Sequence, residues 1–320
     1  MEPAQLFIAF VSSFAITVAW MPFLIGYFRM KKQGQAIRGE GPEWHNVKAG
    51  TPTMGGAGFL TAAVITIIWF SIWQDKMTSS LLLLLFVLVL YGVIGFLDDF
   101  LKLARKQNEG LTSRQKFIGQ LVVAVLFYIF YHVAGYSDSL NFFGLELSVG
   151  IVYGLFVIVW LVGFSNAVNL TDGIDGLVSG LGTISFATYA IIAWNQQQYE
   201  VLIVCLSIIG GLIGFFPYNK KPAKIFMGDV GSLSLGGLLA AVSIMLHQEW
   251  TLLLVGLVYV CETASVMLQV TSFKLTGKRI FKMSPLHHHF EMSGWTEWKI
   301  DIVFWLISLA VSILVLVIVL

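Results

Sequence analysis

Apolar residues in this chain come in long runs, and the polar residues gather in short connectors between them. A helix needs about 20 apolar residues to cross the hydrocarbon core of a bilayer. By that measure the pattern predicts about ten spans, over residues 6–28, 54–73, 81–97, 117–134, 149–164, 177–194, 201–216, 232–246, 252–273 and 300–320. Glycines interrupt the seventh and eighth. The longest connector on one side, residues 135–148, carries Asn-Phe-Phe-Gly-Leu-Glu-Leu and reads as a small hairpin or an interfacial turn. The first run starts almost at once after Met1 with no basic segment before it, so it is expected to stay as a span and not to be cleaved.

Charge orients this pattern. When alternate connectors are assigned to one side, that side receives every Lys and Arg except Lys76, 18 of the 19 basic residues. Such a split marks the basic side as cytoplasmic. It places both termini outside and favours an even number of spans. The composition agrees: 57% hydrophobic and 12% charged residues, with mean hydropathy +0.83. A soluble domain is about a quarter charged. The expected fold class is an all-α, polytopic integral membrane protein with both termini extracytoplasmic. Residues 1–320 are expected to form a single transmembrane catalytic domain. Cys205 and Cys261 each lie inside an apolar run without metal-ligand spacing and read as small core residues.

The cytoplasmic connectors are too short to fold alone, so any active site must be built where several meet at the cytoplasmic face. One of them, residues 165–176, reads Ser-Asn-Ala-Val-Asn-Leu-Thr-Asp-Gly-Ile-Asp-Gly and has no Lys or Arg. A polar turn with Asp172 or Thr171 as helix cap explains one Asp and one Gly. It leaves Asn166, Asn169 and Asp175 unexplained, and polar groups this close to hydrocarbon mark a site. Asp98 and Asp99 end the third span, with Lys102 in ion-pair reach. They are a solvated helix end, or a pair of hard oxygen ligands suited to Mg²⁺ and a diphosphate. Asp229 opens the eighth span between Gly228 and Gly231. It is a helix cap or an anion-side metal ligand, and Lys220, Lys221 and Lys224 nearby could neutralise phosphate or simply obey the charge rule. Phe226 is a stacking platform for a base or an interfacial aromatic. His287, His288 and His289 point in different directions on a helix, which suits phosphate contacts or proton transfer and not a three-His zinc site. Residues 46–58, with Lys48 and Thr53, read as glycine-rich helix packing that could also line a pocket. Together the acids suit Mg²⁺-assisted phosphoryl chemistry on a lipid-embedded substrate. A transporter fits less well, since its ionisable groups sit near the bilayer midplane.

Five segments carry a resemblance. They are Lys-Ala-Gly-Thr-Pro-Thr-Met-Gly-Gly at 48–56, Gly-Phe-Leu-Asp-Asp-Phe-Leu-Lys at 95–102, Asn-Ala-Val-Asn-Leu-Thr-Asp-Gly-Ile-Asp-Gly at 166–176, Phe-Met-Gly-Asp-Val-Gly-Ser at 226–232 and Pro-Leu-His-His-His-Phe-Glu at 285–291. In this order they resemble the bacterial phospho-N-acetylmuramoyl-pentapeptide transferase family, within the wider polyprenyl-phosphate sugar-phosphate transferases. The resemblance implies a ten-span, homodimeric enzyme of the bacterial cytoplasmic membrane, with no nucleic-acid partner. Its substrates would be UDP-MurNAc-pentapeptide and undecaprenyl phosphate, its cofactor Mg²⁺. It implies catalytic roles for Asp98, Asp99, Asp229, Lys116, His288 and His289, with Asp229 as metal ligand and Asp98 as base for the lipid phosphate. It implies substrate binding by Lys48, Thr53, Asn166, Asn169, Asp172, Asp175, Asn219, Phe226, Gln269 and His287. Readings left open beside it are a related HexNAc-1-phosphate transferase, a polyprenyl group transferase and a lipid or sugar transporter.

Overall fold

The structure is a computed structural model that describes residues 3–30, 50–105, 109–142 and 145–320. Lys48 lies outside these residues. The helices are α1 Pro3–Met30, α2 Gly55–Trp73, α3 Ser79–Arg105, α4 Ser113–Val133, α5 Ile151–Thr171, α6 Leu177–Asn195, α7 Tyr199–Asn219, α8 Gly228–Met245, α9 Thr251–Val255, α10 Leu257–Thr276, α11 Leu286–Glu291 and α12 Glu297–Val319. Strands β1 Ser139–Phe142 and β2 Leu145–Ser148 pair antiparallel between α4 and α5, with Ser139 opposite Ser148. The connector at 135–148 is thus a hairpin.

Nine of the described helices are long and apolar enough to cross a membrane. The chain is a polytopic all-α membrane protein. The expected span at 252–273 is the exception. It is broken at Gly256 into α9 and α10, and α10 carries Glu262, Gln269 and Lys274 in place of apolar residues. A side chain at Gly256 would stand 2.7 Å from the Leu252 carbonyl oxygen and 3.0 Å from the Phe164 ring. The junction therefore accepts only a residue without a Cβ.

The bundle is organised around α8. Every residue from Val230 to Met245 is buried, as expected of a helix that is apolar or small on all sides. It packs against α3 and α5 and touches α2 and α6. Small residues let these backbones approach, and buried hydroxyls stitch them together. Ser234 Oγ donates to the Leu88 carbonyl at 2.9 Å, Ser165 Oγ donates to the Leu233 carbonyl at 3.1 Å, and Trp160 Nε1 donates to Ser243 Oγ at 3.1 Å. The outer helices α1, α4 and α12 turn large apolar side chains outward, such as Phe23, Val133 and Val317. In water that would be a liability; in a bilayer it is the lipid-facing surface.

Candidate active site

Three carboxylates meet at one end of the bundle because α3 and α8 cross with their backbones in contact. A side chain at Gly95 would collide with the Asp229 main chain. That contact, one turn before Asp98, brings the end of α3 onto the start of α8. Asp98 and Asp99 are buried, at 1% and 2% exposure. Asp99 Oδ2 accepts from the Val230 N–H at 3.3 Å, and Asp98 Oδ1 accepts from the Leu111 N–H at 2.9 Å. Asp98, Asp99 and Asp229 each offer one carboxylate oxygen, all within 4.8 Å of one another.

Two ammonium groups sit among these acids. Lys102 Nζ lies 2.5 Å from Asp98, 3.5 Å from Asp99 and 3.3 Å from Asp229. Lys116 Nζ lies 2.5 Å from Asp229 and 3.4 Å from Asp98. Lys116 is set in the first turn of α4 by a capping box. Thr112 Oγ1 accepts from the Gln115 N–H at 3.2 Å, and Gln115 Oε1 accepts from the Thr112 N–H at 2.9 Å. Asn169, on α5, completes the ring: its Nδ2 donates to Asp229 Oδ1 and to Ser232 Oγ, both at 2.9 Å. The lysines near Asp229 in sequence do not reach it by any described ion pair. Lys221 instead pairs with Glu297 at 2.9 Å, and Lys224 lies over the Tyr218 ring.

Gly228 is the hinge of this ring. It has φ +77°, and a Cβ there would stand 2.9 Å from Thr53 Oγ1 and would collide with Asp99 Oδ2. Only glycine holds that left-handed conformation at so close a distance. Asp172, the C-cap of α5, faces the same point from outside the spans. Burial, followed by the charges of Asp229, Asp99 and Asp175, pushes its carboxyl up to about 8, against a hydrogen bond from the Gly228 backbone.

The other expected residues form two neighbouring groups. Asp175 Oδ2 accepts from the Ala223 N–H at 3.0 Å, while the Asp175 N–H donates to Glu297 Oε2 at 3.3 Å. Asn219 is buried, donating to the Ile225 carbonyl and accepting from Ser179 Oγ at 2.7 Å. Phe226, half-buried, is fixed through its backbone: its N–H donates to the Pro52 carbonyl and its carbonyl accepts from the Gly55 N–H, both at 2.8 Å. The second group is α11 with α10. His288 Nδ1 lies 2.7 Å from Glu291 Oε2, and His289 Nδ1 accepts from the Lys282 N–H at 3.1 Å. Gln269 uses its carboxamide on the chain itself, with Oε1 accepting from the Ile280 and Phe281 N–H groups and Nε2 donating to the Phe281 carbonyl. His287 is fully buried and packs on Gly173, where a Cβ would collide with its ring. This contact joins the histidine segment to the 165–176 connector. Asn166 stands apart from the acids; its Nδ2 donates to Gln120 Oε1 on α4 at 2.6 Å.

Gln120, Glu262 and Glu297 are absent from the residues singled out by motif, and Lys102 was read only as an ion-pair partner of Asp98 and Asp99, not of Asp229. Lys102 had the signal of i+4 spacing from Asp98. Glu262 had that of a lone acid in an apolar run.

A ring of desolvated carboxylates and ammonium groups at the mouth of a membrane bundle defines a class before a protein. The glycosyl transferase family 4 model matches residues 81–247, the stretch from α3 to just beyond α8 that contains all three carboxylates. Phospho-N-acetylmuramoyl-pentapeptide-transferases are similar along the whole chain. The Enterococcus hirae protein is 71% identical over 317 residues, covering 99% of each chain. The Enterococcus faecalis protein is 68% identical and covers 98% of each, and that of Lacticaseibacillus paracasei is 60% identical and covers 97% of each. The chain belongs to the phospho-N-acetylmuramoyl-pentapeptide transferase family and is a multi-pass bacterial membrane enzyme.

Proposed function

We propose that the protein transfers phospho-MurNAc-pentapeptide from UDP-MurNAc-pentapeptide to undecaprenyl phosphate; its relatives are named phospho-N-acetylmuramoyl-pentapeptide-transferases. A lipid phosphate oxygen attacks the sugar-bearing phosphorus of the UDP-sugar. The bond from that phosphorus to the bridging oxygen breaks, and UMP leaves with the oxygen and its electron pair. The products are undecaprenyl-diphospho-MurNAc-pentapeptide and UMP. The observation that carries this reading is the ring of three carboxylates and two lysines held by α3, α4 and α8.

The chemistry joins two anions, so the site must offset negative charge without offering water. Lys102 and Lys116 provide fixed positive charge for the diphosphate. Asp98 takes the proton of the lipid phosphate. Asp98, Asp99 and Asp229 also fit a divalent cation, since they supply three hard oxygen donors within 4.8 Å of one another. Mg²⁺, when bound, neutralises charge on the transferring phosphates. Asp229, oriented by Asn169, would be its principal ligand. Phe226 stacks on uracil, Asp172 and Asp175 bind the nucleoside, and Thr53 and Asn166 complete the cleft. Gln269 and Asn219 serve it by holding the 280–281 and 220–225 loops. His287, His288 and His289 close the cleft from α11. The whole chain acts as one catalytic domain in a homodimer, with this site at the cytoplasmic face and both termini outside, the broken α9–α10 pair making the tenth crossing beside the nine long helices.

The test is purified protein in detergent with both substrates and Mg²⁺, assayed for UMP. UMP release that depends on undecaprenyl phosphate and stops with EDTA is expected. UMP formation without the lipid, or none at all, would overturn the reading.

A further inference from the structure

Helix α10 buries one narrow stripe, Val258, Tyr259, Glu262 and Ser265. Three of these suit a helix–helix seam, and the fourth is an acid with no exposed surface. Burying a carboxylate is costly unless it is bonded, and in a membrane protein such a residue calls for a partner. The partner is His287, equally buried. Glu262 Oε1 accepts from the His287 N–H at 3.1 Å, with Oε2 at 3.4 Å, and Oε1 stands 3.3 Å from His287 Nδ1.

The location of the bond matters. Helix α11 is six residues long and starts after Pro285, whose side chain makes no cap. The free N–H groups of a first helical turn need an acceptor from somewhere. For His287, Glu262 supplies it from another helix. The fixed His287 ring then packs on Gly173, next to Asp172. Glu262 thus ties together α10, the histidine segment and the acidic connector, although it touches none of the three central carboxylates by any described hydrogen bond or ion pair.

We propose that Glu262 is a positioning residue for the transfer: by holding the His287 backbone and ring it fixes α11 and the Asp172–Gly173 turn against each other. The proposal rests on the reaction assigned above. A fold-only role would cost stability in proportion to activity; a positioning role costs kcat in protein that remains folded.

The test uses the full-length enzyme as Glu262→Ala and Glu262→Gln. Glutamine keeps an acceptor oxygen for the His287 N–H; alanine keeps none. Amide exchange in residues 286–291 is expected to rise about tenfold in Glu262→Ala, the scale of losing a helix cap, with residues 230–245 unchanged. UMP-release kcat should fall by a similar factor or more, with KM for undecaprenyl phosphate unaltered, and Glu262→Gln should recover most of both. Wild-type kcat in Glu262→Ala, with or without faster exchange, overturns the proposal. So do equal losses in the two variants, and so does a kcat loss that merely tracks the unfolded fraction. If the unsubstituted protein releases no UMP, the assigned reaction fails instead, and an unchanged exchange rate at 286–291 still refutes the bond's positioning role.

Discussion

Asp229→Asn separates catalysis from stability in the acid–lysine ring. The substitution preserves shape and removes one charge. Asp98, Asp99 and Asp229 against Lys102 and Lys116 sum to −1; with asparagine the ring sums to zero, so attraction for a divalent cation falls sharply. The folded state loses less. Hydrogen bonds to charged groups contribute about 1.5–3 kcal/mol each, and Asp229 makes such bonds with Lys116 at 2.5 Å and Lys102 at 3.3 Å. Yet both lysines keep Asp98, at 2.5 and 3.4 Å, and an amide oxygen still accepts one bond. The net cost is therefore about 1–2 kcal/mol, a drop of only a few degrees in melting temperature. Loss of one fixed electrostatic contact in a catalytic site lowers kcat by about 10²-fold or more. The assay is UMP release across a Mg²⁺ titration, beside thermal melting of the same preparations. The expected result is a large fall in kcat, a higher Mg²⁺ optimum and a nearly unchanged melting temperature. Wild-type kcat at the wild-type Mg²⁺ optimum would refute the reasoning and leave Asp229 as a structural partner of Lys102, Lys116 and Asn169 alone.

Phe226→Ala should raise KM for the UDP-sugar by about tenfold, the scale of one base–aromatic stack, while KM for the lipid stays constant; equal effects on both would exclude stacking. Asp172 should make stability pH-dependent, because its folded carboxyl at about 8 lies above the unfolded value near 3.9. The folded state then binds more protons between those values, so this group lowers stability as pH rises from about 4 to about 8 and adds no further change above. In EDTA, the melting temperature of Asp172→Asn relative to wild type should climb from pH 5 to pH 8 and then level off; a flat difference would refute it. Single cysteines at Lys278 and Asn195, in a Cys261→Ser background, should label from opposite sides of sealed vesicles, and labelling from the same side would overturn the orientation.

The spans were legible because hydropathy is summed over side chains, and nine of the described helices meet that measure. The break at Gly256 was not, because it depends on the Phe164 ring from α5, which no local sum contains. Asp98, Asp99 and Asp229 were legible as polar residues at helix ends on one face. The bridging by Lys102 to all three was not, since its link to Asp229 needs the close crossing at Gly95. Asn166 and Asn169 lie one turn apart in the same motif, yet one meets Gln120 and the other meets Asp229. Spacing gives the face of a helix and not the neighbour behind it. The same limit applies to the histidines: burial against Gly173 and the bond to Glu262 set His287 apart from the two that follow.

Helix α8 meets no lipid along residues 230–245, and that sets how the sequence can drift. On α12, where Leu314 and Val317 face outward, any apolar side chain of any shape dissolves equally well in the acyl chains. On α8 there is no such freedom. A methyl group at Gly236 would strike the Phe164 backbone, and one at Gly237 would press on the Tyr91 ring at 3.1 Å. Backbone cannot move aside as a side chain does. A scan of all substitutions should therefore show a permissive outer shell around an intolerant rod. The most constrained residues would be the small glycines and serines of α8, whose own side chains do no chemistry.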